Sequence, residues 1–287
     1  MGKNIHGCHF RGLGIDVKWP ANAVSWPITH YGFVADGTAL PNSRYIRQEI
    51  LDLIGPDGQR RISAASVVLV GCGALGTNIA NNLVRSGVGR LRIIDRDVVE
   101  LDNLQRQVLF HEGHVRERTP KALAAVEQLR EVNSSVALDA QVCEVAAANV
   151  ESLLAGFDLV MDGTDNVPTR SLLNEACLKS GTPWIVGGAV GSTGFVMPVV
   201  PGRTPCYRCL LAELPAPGTT PTAATAGILN STTVVVGALQ CSLALRLLVG
   251  ALEPSDEALC LDVWDLDFTR VRIPRRADCP ACGRYGT

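Results

Sequence analysis
The sequence predicts an α/β protein: a doubly wound, mainly parallel sheet whose C-terminal region is stapled by clustered cysteines. Three observations carry this. The continuous apolar run Ser66-Val-Val-Leu-Val70 leads straight into a glycine loop and then a helix of small residues. Strand-like and helix-like segments then alternate as far as Val186. Two Cys-x-x-Cys pairs stand at 206–209 and 279–282.

The elements follow in order. Residues 1–43 are rich in Gly and aromatics (Phe10, Trp19, Trp26, Tyr31, Phe33) and show no sustained period, so they form an irregular N-terminal extension. The pattern becomes helical from Arg44, and residues 44–287 form the main domain. Ser66–Val70 lacks polar alternation, as expected of a strand buried on both faces. The helix after the glycine loop ends at Gly87-Val-Gly89, and Leu91-Arg-Ile-Ile94 is a second strand closing on Asp95. Helix 120–131 precedes an extended stretch near 136–143, helix 147–155 precedes strand 158–161, and helix 168–180 precedes strand 184–186. Such alternation implies right-handed crossovers and parallel pairing. Residues 212–226 are rich in Pro, Thr and Ala and read as a long mobile loop. A helix over 227–250 and a strand pair near 259–273 precede the cysteine-bearing tail.

Composition excludes some function classes. Apolar residues make up 47% and charged residues 19% of 287, and the formal net charge is −2. No global field draws such a chain to nucleic acid or to anionic membrane. The longest apolar stretch, 227–252, carries Asn230, Ser231, Thr232, Thr233, Gln240 and Arg246, which fits a buried helix better than a membrane span. With no apolar leader in the first 35 residues, a cytoplasmic location and reduced cysteines are expected.

The candidate chemistry begins at Gly71-Cys-Gly-Ala-Leu-Gly76. In a strand–turn–helix unit Gly71 permits the tight turn, Gly73 lets a phosphate approach the backbone, and Gly76 lets the helix pack on the strand. The alternative is a glycine turn used only for packing. Asp95 stands 19 residues past Gly76, where an acid accepts hydrogen bonds from ribose hydroxyls. NAD and ATP both fit to this point. The run Asp95-Arg-Asp97-Val-Val-Glu100, then Asn103-Leu-Gln-Arg106-Gln107, gathers carboxylates, amides and a guanidinium beyond a strand's carboxyl end. Acids can hold Mg²⁺ and Arg pairs with phosphate oxygens, so the run suits a metal-bound polyphosphate; a polar surface loop is the alternative. Asp162-Gly-Thr-Asp165-Asn166 follows the fourth strand, where open α/β sheets build their sites. Asp165 could bind Mg²⁺; otherwise Asp162 or Asp165 caps helix 168–180. Lys121 opens a helix, a position that is unfavourable for a cation unless an anion lies nearby. A phosphate would serve, and a solvated Lys is the alternative.

Arg44-Tyr-Ile-Arg47-Gln48, the glycine loop, Asp95-x-Asp97 through Arg106-Gln107, Pro120-Lys121, Thr164-Asp165-Asn166 with Thr169-Arg170, and Pro205-Cys206-Tyr-Arg-Cys209-Leu occur in one order. Together they resemble the MoeB/ThiF family of adenylating enzymes, relatives of the ubiquitin-activating enzymes, over about residues 44–283. The resemblance implies a Rossmann-like fold that uses ATP and Mg²⁺ to convert a carboxylate into its acyl-adenylate, releasing pyrophosphate. It implies that Asp95 holds the ribose, that Asn103, Arg106 and Lys121 contact the phosphates, and that Asp165 binds Mg²⁺. Asp97, Gln107 and Asn166 belong to the same nucleotide-binding set. Arg47 would reach the ATP of a neighbouring subunit, which implies a homodimer. The expected substrate is the C-terminal glycine of a ubiquitin-like sulfur-carrier protein. A peptide or small-molecule carboxylate is the alternative, followed by an NAD-dependent oxidoreductase and a silent partner subunit.

Cys206, Cys209, Cys279 and Cys282 supply four thiolates, the number a structural zinc site takes, and would pin the tail to the core; disulfides or redox pairs are the alternative. Cys72, Cys143, Cys177, Cys241 and Cys260 lie in apolar or glycine-rich surroundings and are expected to be inert, with Cys143, Cys177, Cys241 and Cys260 buried in core elements. Many members of the family carry a cysteine just before the helix that begins here at Gly227. This chain has Thr222-Ala-Ala-Thr-Ala-Gly227 instead, which favours adenylation without a covalent link to the chain.

Overall fold
The computed structural model describes residues 44–211, 213–215 and 219–285, so the predicted extension and Cys8 lie outside the described residues. The helices are α1 (Ile46–Glu49), α2 (Gly55–Ala64), α3 (Ala74–Ser86), α4 (Glu112–Arg116), α5 (Lys121–Val132), α6 (Val150–Leu154), α7 (Val167–Ser180), α8 (Tyr207–Leu210), α9 (Ala223–Ala226) and α10 (Asn230–Leu248). The strands are β1 (Ser66–Val70), β2 (Arg90–Ile94), β3 (Ala137–Gln141), β4 (Leu159–Asp162), β5 (Trp184–Val190), β6 (Thr193–Val199), β7 (Glu257–Asp262) and β8 (Asp267–Arg272).

They form one sheet in the order β3-β2-β1-β4-β5-β6-β7-β8. The pairs from β3 through β5 are parallel and those from β5 through β8 antiparallel. The apolar run of β1 is explained by its neighbours. Val67 and Leu69 enter one core with Leu91, Ile93, Met161 and residues of α3, α5 and α10. Val68 and Val70 enter a second core with Val160, Trp184, Val186 and residues of α6 and α7. Both faces are buried, so the strand needs no polar alternation.

α10 is long and apolar enough to cross a membrane by length and composition. Three of its polar side chains, Thr232, Thr233 and Gln240, are nevertheless buried. Thr232 Oγ1 donates to Gly191 O at 3.2 Å, and Gln240 Nε2 donates to Asp162 O at 2.8 Å.

The structure corrects the sequence reading at several points. β6 was not expected, and β5 extends four residues beyond the predicted 186. Within the predicted loop 212–226, Thr222 and Thr225 make a capping box that opens the short helix α9. Neither Asp162 nor Asp165 caps α7. Asn166 does, its side-chain oxygen accepting from Thr169 N at 2.9 Å. Cys143 and Cys260 are half-buried rather than buried.

Candidate nucleotide site and cysteine cluster
The strand order reverses direction between β1 and β4, the place where open α/β sheets bind ligands. Two backbone loops meet there. Gly163 N donates to Val70 O at 2.8 Å, and Gly71 has φ +87°, in the left-handed region. A Cβ on Gly71 would lie 2.7 Å from the Gly163 backbone, and one on Gly76 would lie 2.0 Å from Gly71 O. These two glycines are required by the protein's own packing. Gly73 is not: a Cβ there would meet only Gln107 Nε2, at 3.9 Å.

That opening faces the start of α3, whose N-cap is Gly73 and has no side-chain hydrogen bond. Helix-start amides without a protein acceptor suit an anion. Gln107 is 4% exposed, and its Oε1 is buried with no partner. An orphan buried acceptor beside a glycine that packing does not require fits a bound nucleotide.

Asp95 closes β2 against this loop. Its Oδ2 accepts from Cys72 N at 2.6 Å and its Oδ1 from Asp97 N at 2.8 Å. Burial raises its pKa above the ordinary carboxylate value, and those two amides only partly offset the rise. Lys121 is 8% exposed and therefore not a solvated lysine. Its counter-charge at the helix start is Asp97, with Nζ–Oδ2 at 3.2 Å. Arg106 Nη1 donates to Asp102 O at 2.7 Å. Asn103 is buried and its side-chain oxygen accepts from Glu100 N at 3.3 Å. The segment between Asp95 and Gln107 is thus held largely by its own backbone.

Asp165 and Asn166 are exposed on the loop after β4. Among the described residues, the Asp165 carboxylate accepts one side-chain hydrogen bond, from Asn166 Nδ2 at 3.4 Å. Arg47 stands apart from these residues. Its helix α1 is tied to the C-terminal end of α3: Gln48 Nε2 donates to Ser86 O at 3.1 Å, and Asn133 Nδ2 donates to the Tyr45 hydroxyl at 2.8 Å. The glycine loop lies at the other end of α3, ~20 Å away for 13 residues at 1.5 Å each. An arginine side chain is far shorter than that.

The four predicted sulfurs come together. Cys206, Cys209, Cys279 and Cys282 are buried with their Sγ atoms all within 4.8 Å of one another. Cys206–Cys279 is 3.6 Å and Cys209–Cys282 is 3.5 Å. These are not disulfide lengths, which are about 2.05 Å. Tetrahedral Zn–S bonds of about 2.3 Å place sulfurs about 3.8 Å apart, so the donor set fits a tetrathiolate metal. Burial alone raises Cys279, but the amides of Ala281 and Cys282 and the neighbouring thiols outweigh it and bring the thiol down to about 6.

Sequence reasoning missed a buried polar network behind this site. Arg170 Nε donates to Asp162 Oδ2 at 2.8 Å, and both residues are buried. The available signal was an Asp ending a strand and an Arg facing back from the next helix, eight positions on.

Comparison with known proteins agrees with this geometry. The chain is 43% identical over 243 residues to the sulfur carrier protein ThiS adenylyltransferase of Bacillus subtilis, covering 84% of this chain and 71% of that protein. It is 41% identical to the SAMP-activating enzyme E1 of Haloferax volcanii, covering 88% and 92% of the two chains. The structure superposes on E. coli MccB in complex with MccA-N7isoASN with a TM-score of 0.75 at 22% identity, covering 85% and 75%. At that identity the likeness concerns the fold. The ThiF family model matches residues 45–281, and the chain belongs to the ThiF family.

Proposed function
We infer that the chain is an adenylyltransferase that activates the C-terminal carboxylate of a ubiquitin-like sulfur-carrier protein with ATP. The observation that carries this is the opening at Gly73, which faces the Gln107 amide whose Oε1 is buried without a partner. The sulfur-carrier adenylyltransferases at about 40% identity supply the substrate class. MccB, structurally similar at 22% identity, is a fold relative, so a peptide substrate is the second reading.

The chemistry asks the protein for no nucleophile. A substrate carboxylate oxygen attacks the α-phosphorus, the acyl-phosphate bond forms, and pyrophosphate leaves with the electrons of the broken P–O bond. Asp95 orients the ribose by accepting hydroxyl hydrogen bonds. The α3 amides and Asn103 hold the phosphates. Arg106 and Lys121 neutralise charge on the departing pyrophosphate, Lys121 being released from Asp97 as a phosphate takes its place. Mg²⁺ at Asp165 would supply further charge neutralisation at the α-phosphate. The four-cysteine cluster would hold a structural Zn²⁺.

Arg47 completes the site of a second subunit in this reading, because it lies too far from its own glycine loop. A homodimer also accounts for α10, whose most apolar 18 residues have a mean hydropathy of 1.5 yet are only 39% buried. A cytoplasmic enzyme with no nucleic-acid or membrane partner is the setting we propose. Exchange of labelled pyrophosphate into ATP tests the reading. It should require Mg²⁺ and a sulfur carrier ending in Gly-Gly, and ADP formation would overturn it.

A further inference from the structure
Gln107 and Lys121 are joined by a connector that contains α4, and two stacked imidazoles hold the start of that helix. His111 is the N-cap: its Nδ1 accepts from Gly113 N at 3.1 Å, and His114 Nδ1 accepts from His111 N at 3.4 Å. This is a capping box made of two histidines, where Ser or Thr with Glu or Gln is the usual pair. The rings lie 3.7 Å apart at 22°, and Phe110 meets His114 edge-on with centroids 6.1 Å apart. His111 is exposed, whereas His114 is 3% exposed.

The box sits within a relay of backbone hydrogen bonds that runs from one nucleotide residue to the other. Phe110 N donates to Gln107 O at 3.2 Å, and Thr119 N donates to His114 O at 2.9 Å. Thr119 O accepts from Val99 N at 3.0 Å, and Lys121 N donates to Asp97 O at 2.8 Å. Arg118 turns the chain between His114 and Thr119 with φ +52°, a left-handed conformation that costs energy in any residue but glycine. An α4 that loses its cap frees His114, and with it the carbonyl that fixes Thr119 just before Lys121.

Both caps require neutral rings. An Nδ1 that accepts carries no proton, so the proton of each neutral imidazole is on Nε2. His114 Nε2 is buried without a partner. Protonation sets N–H against N–H at each cap, and it gives His114 a positive charge with no acceptor to receive it. Burial first, and His111 second, hold His114 below the ordinary histidine value; Glu127 of α5 and Glu117 of the turn after α4 offset only part of this. The other charges on α4, Glu112 and Arg116, pair with each other at 3.7 Å. A histidine released from the box takes its proton at about pH 6.5, more readily than the closed one. The box is therefore most stable above that pH and loses stability as pH falls below it.

We propose that the His111–His114 box is a pH-sensitive latch, closed while both imidazoles are neutral and opened by protonation, which releases Gln107 and Lys121 from the nucleotide. The proposal goes beyond adenylation, and it rests on the placement of Gln107 and Lys121 at the nucleotide.

Hydrogen exchange of amides 111–119, corrected for the intrinsic effect of pH and referred to the amides of β1, reads the opening in the unmodified protein. Opening should rise about fivefold or more between pH 7.5 and 5.5, because each opening event takes up a proton. His114→Asn puts an amide oxygen where Nδ1 stood and does not titrate, so it should show no such rise. Over the same pH range the parent should lose about threefold more ATP affinity, by calorimetry, than this variant does. Protonation of ATP and of Asp95 acts on both proteins and cancels in that ratio. His111→Asn is the second variant, exposed and a favoured N-cap; it should stay folded and show a smaller rise, because His114 still titrates. A flat exchange profile in the parent would overturn the latch, even where His114→Asn fails to fold. Equal pH dependence of ATP affinity in parent and His114→Asn would overturn its link to the nucleotide. A parent that follows the expected pattern yet exchanges no pyrophosphate would refute adenylation and leave the latch standing. A parent that opens in acid but binds no ATP at pH 7.5 would refute the placement of Gln107 and Lys121, and the proposal with it.

Discussion
Gly73→Ala separates a nucleotide cradle from a glycine turn used for packing. The backbone at Gly73 has φ −85°, outside the left-handed region. A Cβ there meets one atom, Gln107 Nε2, at the ordinary contact distance of 3.9 Å. The fold should therefore accept the methyl with a change in stability below about 1 kcal/mol. The phosphate that approaches this point cannot be accommodated in the same way, so ATP affinity should fall at least tenfold, or about 1.4 kcal/mol. Gly76→Ala is the control. Its Cβ would lie 2.0 Å from Gly71 O, a backbone atom with no freedom to retreat, so stability should fall by about 3 kcal/mol or more. Thermal unfolding and calorimetric ATP titration read the two effects separately. A folded Gly73→Ala protein that binds ATP within about twofold of the parent would refute the cradle.

Asp165 is exposed, so Asp165→Ala should shift stability by less than about 0.5 kcal/mol while lowering pyrophosphate exchange about 10²-fold; unchanged exchange would remove it from the site. Inactive Arg47→Ala and Asp165→Ala proteins, mixed and allowed to exchange subunits, should recover exchange activity, because one site of each mixed dimer is intact; no recovery argues against an arginine acting across subunits. Metal analysis of reduced protein should find one zinc per chain, and Cys279→Ser should lose it with at least about 2 kcal/mol of stability, whereas a metal-free parent contradicts the cluster assignment. With ATP and carrier present, mass spectrometry should detect no reductant-sensitive adduct on any cysteine within 44–285; an adduct on Cys143 or Cys260, the two half-buried thiols, would show that the chain does accept the acyl group.

The parallel half of the sheet was legible because its physical signals are local. A strand buried on both faces must be apolar throughout, and Gly76 must be glycine because Gly71 O leaves no room for a side chain. β6 was hidden by its own composition. Its approach, Gly191-Ser-Thr-Gly194, reads as a turn, and Pro198 reads as a breaker. The structure tolerates Pro198 because β7 pairs only with Thr193–Val196, leaving the far end of β6 without a neighbour on that side. Asn166 was placed among the nucleotide contacts and caps α7, since a cap depends on where the helix begins rather than on which acid is nearest. The grip of Arg170 on Asp162 joins a strand end to a helix face. No periodicity encodes a contact of that kind.

The distribution of thiols supports the proposal that the chain supplies no cysteine nucleophile among its described residues. A thiol attacks only as the thiolate. Burial and then the Asp95 carboxylate push Cys72 well above the usual thiol range, and Lys121 offsets only part of this. Burial raises Cys177, and it carries Cys241 to about 12. Cys260 is raised for the same reason. The four sulfurs of the cluster face one another and not the glycine loop. The turn before α10, where a cysteine would be expected in many members of the family, offers Thr222 and Thr225, whose hydroxyls lie 3.3 Å apart and bond to each other. Cys72 is the cysteine of the glycine loop itself, and its surroundings oppose the thiolate there. We propose that the acyl group of the adenylate passes to an acceptor from outside the described residues, and that the rate of that second step is then a property of whichever molecule supplies the acceptor.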